Sequence, residues 1–183
     1  IAATLAFSAN QNNDKVGLIL FTDQIELYIP PKKSRSHILR IIRELIEFKP
    51  VNKKTDINVP LQFLSNILKN RAIVFLMSDF ISDDYSNSLR IISSKHDITG
   101  IRVYDKSEIT IPNLGLVPLM DNEENKMKLV YTGSKKVRKN YEKYYQNRIQ
   151  LFGENFKKAG AGIIECSTED SYQKKLLRYF RNR

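Results

Sequence analysis

The sequence predicts an α/β fold, with a doubly wound, mostly parallel sheet. Apolar runs of strand length alternate with helical patterns, and such alternation implies parallel strands joined by crossover helices. The central apolar runs are continuous, which is typical of strands buried on both faces of a sheet. With 183 residues, the chain has the length of one domain and can bury a core without disulfides.

The first half of the chain begins inside a helical pattern. Apolar residues then alternate with polar ones after residue 24, which predicts a half-exposed strand. A helical period follows Ser34, a residue type that favours the N-cap position. The predicted elements are a helix ending near Asn12, a strand over Val16–Phe21, a strand over Gln24–Ile29 that Pro30 and Pro31 end, and a helix beginning at Ser34.

The second half continues the alternation and interrupts it once, at residues 107–132, which predict a β-hairpin insertion. Pro60 falls in the first turn of a helix that Thr55 or Asp56 can cap, where proline costs little. The predicted elements are that helix to Leu68, strands over Ala72–Met77 and Thr99–Tyr104, a helix over Tyr85–Ser94, hairpin strands over Leu114–Met120 and Lys126–Tyr131, a helix over 135–158, a strand over Gly162–Cys166 and a helix over Ser171–Phe180.

Polar residues follow the predicted central strands. In an open parallel sheet, ligands bind outside the carboxyl ends of the strands. We call this edge of the sheet the crest. Its candidate binding residues are Thr22, Asp23, Ser78, Asp79 and Asp105.

Thr55 and Asp79 are the candidate metal ligands. Asp79 comes shortly after a continuous apolar run, and Thr55 ends a polar loop at a helix start. Mg²⁺ prefers such oxygen ligands, often one or two carboxylates with hydroxyls and waters. The alternative is that Asp79 caps the following turn or helix and Thr55 caps its own helix. The residue pattern alone favours capping, because two ligands do not make a site.

The positive charge is concentrated near the carboxyl terminus. Residues 1–133 carry 17 Lys and Arg against 15 Asp and Glu, whereas residues 134–183 carry 13 against 5. Such charge suits an anionic partner, such as RNA, DNA, a lipid surface or an acidic protein. We favour the interpretation of amphipathic helices with solvated basic faces, because an apolar stripe runs between the charges. It consists of Val137, Tyr141, Tyr144, Tyr145, Ile149, Phe152 and Phe156.

Several common kinds of site are missing from the sequence. It contains neither of the glycine-rich phosphate-binding motifs G-x-G-x-x-G and G-x-x-x-x-G-K-[ST], and no G-x-S-x-G nucleophile motif. His37 and His96 are predicted to be surface residues rather than ligands. Cys166 is predicted to lie in the core, and a single cysteine fits a reducing compartment, so we expect a cytoplasmic protein. No apolar run has the length of a membrane span.

Short motifs occur in one order along the chain. They are Val16-Gly-Leu-Ile-Leu-Phe-Thr-Asp23, Lys54-Thr-Asp-Ile57, Met77-Ser-Asp-Phe80, His96-Asp-Ile98, Val103-Tyr-Asp-Lys-Ser-Glu108 and the closing Leu176-Leu-Arg-Tyr-Phe-Arg-Asn-Arg183. This set resembles the bacterial domain-of-unknown-function family fifty-eight, which is related to von Willebrand factor A domains. The resemblance covers residues 1–183 as a single domain of that type, and it implies a Rossmann-like doubly wound sheet.

The resemblance implies a metal-ion-dependent adhesion site at the crest. Such a site uses an Asp-x-Ser-x-Ser loop after the first strand, then a Thr and then an Asp. Thr55 matches the second element and Asp79 the third. The first element and the first central strand would lie upstream of Ile1, so we expect a domain truncated at its amino terminus. Mg²⁺ is then expected in the intact protein and not in this chain.

The leading hypothesis is a non-enzymatic module that binds a partner protein through the crest. The resemblance implies a MoxR-type AAA+ ATPase as partner, in complex assembly or a chaperone-like role. Two alternatives stay open. One is a metal-dependent phosphohydrolase using Asp79 with Asp23 or Asp105, which needs a nucleophile or an activated water. The other is nucleic-acid binding by the basic carboxy-terminal region, which would weaken steeply with salt.

The missing strand carries a structural expectation. In the family fold it lies between the strands placed at Val16–Phe21 and Ala72–Met77. Its absence leaves backbone groups unpaired, and each buried unpaired group costs about 1–3 kcal/mol. Either the two strands pair directly, or a partner chain fills the slot and the chain self-associates. We favour self-association, because direct pairing would require the flanking helices to repack.

Overall fold

The computed structural model describes residues 1–52, 54–121 and 126–182. The predicted helices and strands are present in the predicted order, with ends that differ by a few residues. They are α1 (Ala2–Gln11), β1 (Val16–Phe21), β2 (Ile25–Lys32), α2 (Arg35–Glu47), α3 (Asn58–Ile67), β3 (Ile73–Ser78), α4 (Ser86–Ser93), β4 (Asp97–Tyr104), β5 (Leu116–Asp121), β6 (Lys126–Tyr131), α5 (Lys135–Lys158), β7 (Gly162–Ser167) and α6 (Tyr172–Arg181). None of the described helices is long and apolar enough to cross a membrane.

The strands form three separate sheets. A parallel sheet has the order β3-β4-β7, β1 pairs antiparallel with β2, and β5 pairs antiparallel with β6 as the predicted hairpin. The hairpin's connecting residues 122–125 lie outside the described residues. The mixed α/β class with a parallel sheet is confirmed. The expectation of one mostly parallel sheet is wrong for these residues, because no strand joins β1 to β3.

β2 continues through Pro30 and Pro31, where the residue pattern predicts its end. The register pairs Ile29 with Leu18 and Lys32 with Val16. Among the described strands, β2 pairs only with β1. Proline lacks an N–H and is tolerated on such an edge strand, which is why the strand does not stop there.

Three clusters of buried side chains fill the core. The largest joins α3, α4 and α5 to one face of the parallel sheet, and includes Leu61, Leu89 and Phe156. A second packs α6 on the other face, around Ile164 and Leu176. The third packs α2 on the β1–β2 pair. α1 contributes Ala6 to this third cluster and Leu5 to the second, so α1 packs against both the β1–β2 pair and the parallel sheet.

β1 and β3 each have an open edge in the described part of the chain. β4 has a neighbour on each side and is buried from Ile98 to Arg102. In contrast, β1 has no fully buried residue, β3 has only Leu76, and Ile73 is 65% exposed. Val16–Phe21, predicted to be buried on both faces, is therefore only partly buried, because its open edge leaves the strand accessible. Direct pairing of β1 with β3 is also not observed. We call the space between these two edges the β1–β3 slot.

We expect the chain to self-associate through the β1–β3 slot, because an unpaired strand edge is a template for another chain. Ile73→Lys should weaken this association, since lysine on an edge strand opposes pairing. Leu39→Lys, on α2 at a side chain that is 51% exposed, is the matched control and should leave it unchanged. Light scattering at increasing concentration measures the mass. A monomer at every concentration would contradict the expectation.

Both histidines are buried, contrary to the prediction of surface residues. Nε2 of His37 lies 2.9 Å from the carbonyl oxygen of Val16, and the N–H of Ala72 donates to Nδ1 of His96 at 3.3 Å. Each ring therefore contacts the backbone at the start of a strand, which is β1 for His37 and β3 for His96. Burial lowers the pKa of His96, because desolvation disfavours the imidazolium. The core position predicted for Cys166 is confirmed, since it is 1% exposed, and burial raises the pKa of its thiol.

α5 buries the aromatic part of the predicted stripe. Tyr145, Phe152 and Phe156 are buried, whereas Tyr144 is 48% exposed. The lysines that alternate with the stripe are exposed, in agreement with a solvated basic face. They are Lys135, Lys136, Lys139, Lys143, Lys157 and Lys158.

Candidate functional site

Three loops meet at the crest, where β1 and β3 end. The N–H of Asp56, in the loop between α2 and α3, donates to the carbonyl oxygen of Thr22 at 3.1 Å. Ser82, in the loop after β3, donates its hydroxyl to the carbonyl oxygen of Thr55 at 3.3 Å and accepts the N–H of Ile57 at 3.4 Å. The α2–α3 loop is thus held between the loop after β1 and the loop after β3, and the carboxyl ends of both strands lie at the crest.

Glu26 holds the α2–α3 loop against the end of β1. Its carboxylate accepts the N–H of Val51 at 2.8 Å, the N–H of Asn52 at 3.0 Å and the hydroxyl of Thr22 at 2.7 Å. These hydrogen bonds lower the pKa of Glu26 because they stabilise the ionised form, and the bond from the N–H of Asn52 has the largest effect. Asn52 in turn donates its side-chain N–H to Asp23 at 2.7 Å.

Glu26→Gln is expected to loosen the α2–α3 loop, because an amide offers one acceptor oxygen where the carboxylate offers two. Since the pKa of Glu26 is lowered on folding, its stabilising effect is present above the usual value of 4.5 and is lost as the pH falls through the lower, folded-state pKa. Hydrogen exchange of the Val51 and Asn52 amides measures both effects.

The matched control for this prediction is Glu47→Gln, which removes the same charge at the exposed end of α2. It should leave the exchange of Val51 and Asn52 unchanged. Equal protection of both amides in Glu26→Gln and in the unsubstituted chain would contradict the role assigned to Glu26.

Asp79 is exposed and organises the turn that follows β3. Its Oδ1 accepts the hydroxyl of Ser78 at 3.2 Å and the N–H of Ile81 at 3.1 Å. The capping interpretation of Asp79 predicts such a contact within its own turn. α4 is served by a different carboxylate, since Oδ1 of Asp84 accepts the N–H of Ser86 at 2.9 Å.

Phe80 follows Asp79 with a φ of 60°, in the left-handed region that bulky residues rarely adopt. Its ring is 3% exposed and lies 4.3 Å from the ring of Phe152 and 5.3 Å from that of Phe156, between centroids. A strained conformation persists only where its surroundings impose it. The aromatic packing supplies that constraint at the residue next to Asp79.

Thr55 is half-buried, and its carbonyl oxygen is the acceptor in the contact with Ser82. The turn before α3 uses Asp56, whose Oδ1 accepts the N–H of Asn58 at 2.9 Å. The two residues predicted as metal ligands are therefore linked through one loop, because Ser82 follows Asp79 by three positions.

The crest residues do not by themselves fit a Mg²⁺ ion. Mg²⁺ demands an octahedron of oxygens, of which Thr55 and Asp79 would supply two. One Asp79 oxygen already accepts two bonds within its turn. Within residues 1–52, 54–121 and 126–182, no group of three or more His, Cys, Asp or Glu side chains is arranged to hold a metal ion.

Asp105 belongs to a second network, at the ends of β4 and β7. Its carboxylate accepts the N–H of Ser107 at 2.8 Å and the hydroxyl of Thr168 at 3.0 Å. These hydrogen bonds lower the pKa of Asp105, and the bond from the N–H of Ser107 has the largest effect. The hydrogen bonds of the described residues do not join Asp105 to Asp23 or Asp79. The five predicted crest residues are thus divided between two networks.

Residues 1–150 match the protein family described as "Protein of unknown function DUF58". Curated relatives are mycobacterial. Uncharacterized protein Rv1480 of Mycobacterium tuberculosis H37Rv is 23% identical over 125 residues, which are 67% of this chain and 39% of that protein. Uncharacterized protein MAV169 of Mycobacterium avium is 22% identical over 135 residues, covering 73% of this chain and 79% of that protein. The chain thus spans well under half the length of the first relative.

Two solved structures share the fold. An aerotolerance-related membrane protein from Bacteroides fragilis aligns with a TM-score of 0.60 at 16% identity, over 100% of this chain and 87% of that one. The conserved hypothetical protein BatB from Bacteroides thetaiotaomicron aligns with a TM-score of 0.57 at 13% identity, over 99% and 85%. At these identities the likeness concerns the arrangement of the chain alone.

Proposed function

The chain belongs to the DUF58 family of proteins of unknown function, and from this premise we propose that it is a non-enzymatic module that binds a partner protein through the crest. The observation that supports the proposal is the construction of the loops there. Glu26 and Ser82 fix three loops by hydrogen bonds to backbone groups, while Asp79 stays exposed beside a strained residue. Rigid loops that present an exposed carboxylate suit binding, because little order has to be gained on association.

The partner in this proposal is a MoxR-type AAA+ ATPase, in complex assembly or a chaperone-like role. Support for this partner comes from the resemblance between the motif set and the family. The proposal also includes a von Willebrand factor A-like fold. In a longer protein that supplies an Asp-x-Ser-x-Ser loop, Thr55 and Asp79 would be the remaining protein ligands of Mg²⁺.

Asp79→Ala in the longest available form of the protein is expected to weaken binding of a purified MoxR-type ATPase by at least about tenfold, equivalent to about 1.4 kcal/mol. The turn contact with Ile81 is also lost, at a cost of about 1 kcal/mol of folding stability. Calorimetric titration with and without Mg²⁺ measures the binding, and a thermal melt measures the stability.

Asp14→Ala is the matched control, because Asp14 is an exposed aspartate before β1, at the opposite edge of the sheet. It should bind as the unsubstituted protein does. If the unsubstituted protein captures no ATPase in either condition, the assigned partner is wrong. If Asp79→Ala binds normally, the crest is not the binding surface.

A further inference from the structure

An open groove of about 710 Å³ runs along the outer edge of β7, beside α6. A smaller cavity of about 430 Å³ continues it along α6 and shares Lys174, Arg178 and Asn182 with it. Ile163 and Glu165 of β7 line one side, and basic residues of α6 line the other. The groove therefore combines a strand edge with a positively charged helix face.

Side chains cover the outer edge of β7 at the carboxyl end of the strand and leave the rest of that edge open. Among the described strands, β7 pairs with β4 alone. The carbonyl oxygen of Glu165 accepts Nζ of Lys175 at 2.8 Å, and the N–H of Ser167 donates to Asp170 at 3.0 Å. Lys175 and Asp170 are themselves paired at 2.9 Å. This ion pair takes the place of a neighbouring strand at the carboxyl end of β7.

These contacts identify the backbone groups that face the groove. The N–H and C=O of one strand residue point to the same side, and successive residues alternate between sides. Since Glu165 and Ser167 direct these groups away from β4, Ile163 does so too. The N–H and C=O of Ile163 and the N–H of Glu165 therefore lie on the open part of the edge. They form the pattern that a short added strand would satisfy.

The charge beside this edge is positive. Lys174, Arg178 and Arg181 are exposed on successive turns of α6. Among the described residues, Lys175 of this helix forms an ion pair. Lys174, Arg178 and Arg181 form none within that part of the chain. A chain that follows the edge of β7 would thus run beside three basic side chains that form no ion pair with another described residue.

We propose that this groove binds an extended acidic segment of a partner protein, which adds as a strand to the outer edge of β7 while its carboxylates contact Lys174 and Arg178. Backbone hydrogen bonds give such strand addition its affinity, and the flanking side chains give it selectivity. The pair formed by Lys175 and Asp170 limits the length of the added strand and fixes its register. This inference rests on residues other than those of the crest proposal. An experiment can therefore contradict one of the two and leave the other unaffected.

The test uses short blocked fluorescent peptides of alternating threonine and glutamate, or threonine and lysine, with binding followed by anisotropy. The Thr–Glu peptide should bind at low salt and weaken as salt rises, and the Thr–Lys peptide should not bind. The double variant Lys174→Glu/Arg178→Glu should weaken binding of the Thr–Glu peptide by about tenfold or more. Lys135→Glu/Lys139→Glu on α5 has the same spacing, exposure and charge change, and should bind as the unsubstituted chain does.

A second arm tests the backbone ladder without altering the protein. The Thr–Glu peptide methylated at the backbone nitrogen atoms of both threonine and glutamate keeps its charge and loses the strand-pairing donors of both its edges, so its binding should be lost. Equal binding of the methylated peptide would overturn strand addition. Binding of a short single-stranded RNA that depends on Lys174 and Arg178, without binding of the Thr–Glu peptide, would overturn the proposal in favour of a nucleic-acid site.

Discussion

Phe156→Ala is expected to lower the free energy of unfolding by about 3–5 kcal/mol, the usual cost of truncating a fully buried aromatic ring. Phe156 is 0% exposed, and its ring centroid lies 4.9 Å from that of Phe152 and 5.3 Å from that of Phe80. Domains are stable by only about 5–15 kcal/mol, so this loss is a large share of the total. Urea unfolding followed by circular dichroism measures it.

Phe7→Ala is the control for this prediction. Phe7 lies on α1 and is 40% exposed, so its loss should cost less than about 1 kcal/mol. A cost of that size for Phe156 as well would show that the aromatic cluster is not the main core. Because Phe80 loses a packing partner in Phe156→Ala, the turn that carries Asp79 should also become less ordered.

Gly100→Ala is expected to cost about 1–3 kcal/mol by overpacking the same cluster. A Cβ at position 100 would lie 2.5 Å from Cε1 and 2.6 Å from Cζ of Phe156. Both distances are far below normal contact, and the ring is fully buried. Urea unfolding again measures the change. Gly153→Ala is the control, because nothing lies within 4 Å of its Cβ and α5 gains a better helix former.

A double-mutant cycle separates the clash from other effects of the Gly100 substitution. Phe156→Leu removes the ring atoms that a Cβ at position 100 would meet. The double variant Gly100→Ala/Phe156→Leu should therefore be more stable than the sum of the single changes predicts, by about 0.5–3 kcal/mol. Strict additivity would show that the alanine methyl group is accommodated by a movement elsewhere.

Local signals were sufficient for the elements of the fold. The continuous apolar run predicts β1 with both ends correct, and Ser34 caps α2 as expected, since its hydroxyl accepts the N–H of His37 at 3.2 Å. The residue pattern could not show which strand edges lack a neighbour. Continuous apolar strands indicate that both faces of the sheet are covered, but the degree of burial also depends on a neighbouring strand at each edge, and β1 has one on one side only.

The candidate site was predicted in part. The rule for parallel sheets places Thr22 and Asp79 at the crest, and the structure connects their loops. Glu26 was not predicted, because it occupies a polar position in an alternating strand, where a solvated side chain is the ordinary expectation. The left-handed backbone at Phe80 was also invisible, because no glycine or asparagine marks that position.

The β1–β3 slot also affects how the chain unfolds. A hydrogen-bonded ladder makes neighbouring strands open together, and no ladder crosses the slot in the described residues. In the described residues, β1, β2 and α2 have their own apolar cluster, and they meet the main core through Phe21, α1, α3 and the crest loops. We therefore expect them to open as a separate cooperative unit, at a lower free energy than the parallel sheet. A strand seated in the slot would merge the two units into one, so its binding would also be a folding event.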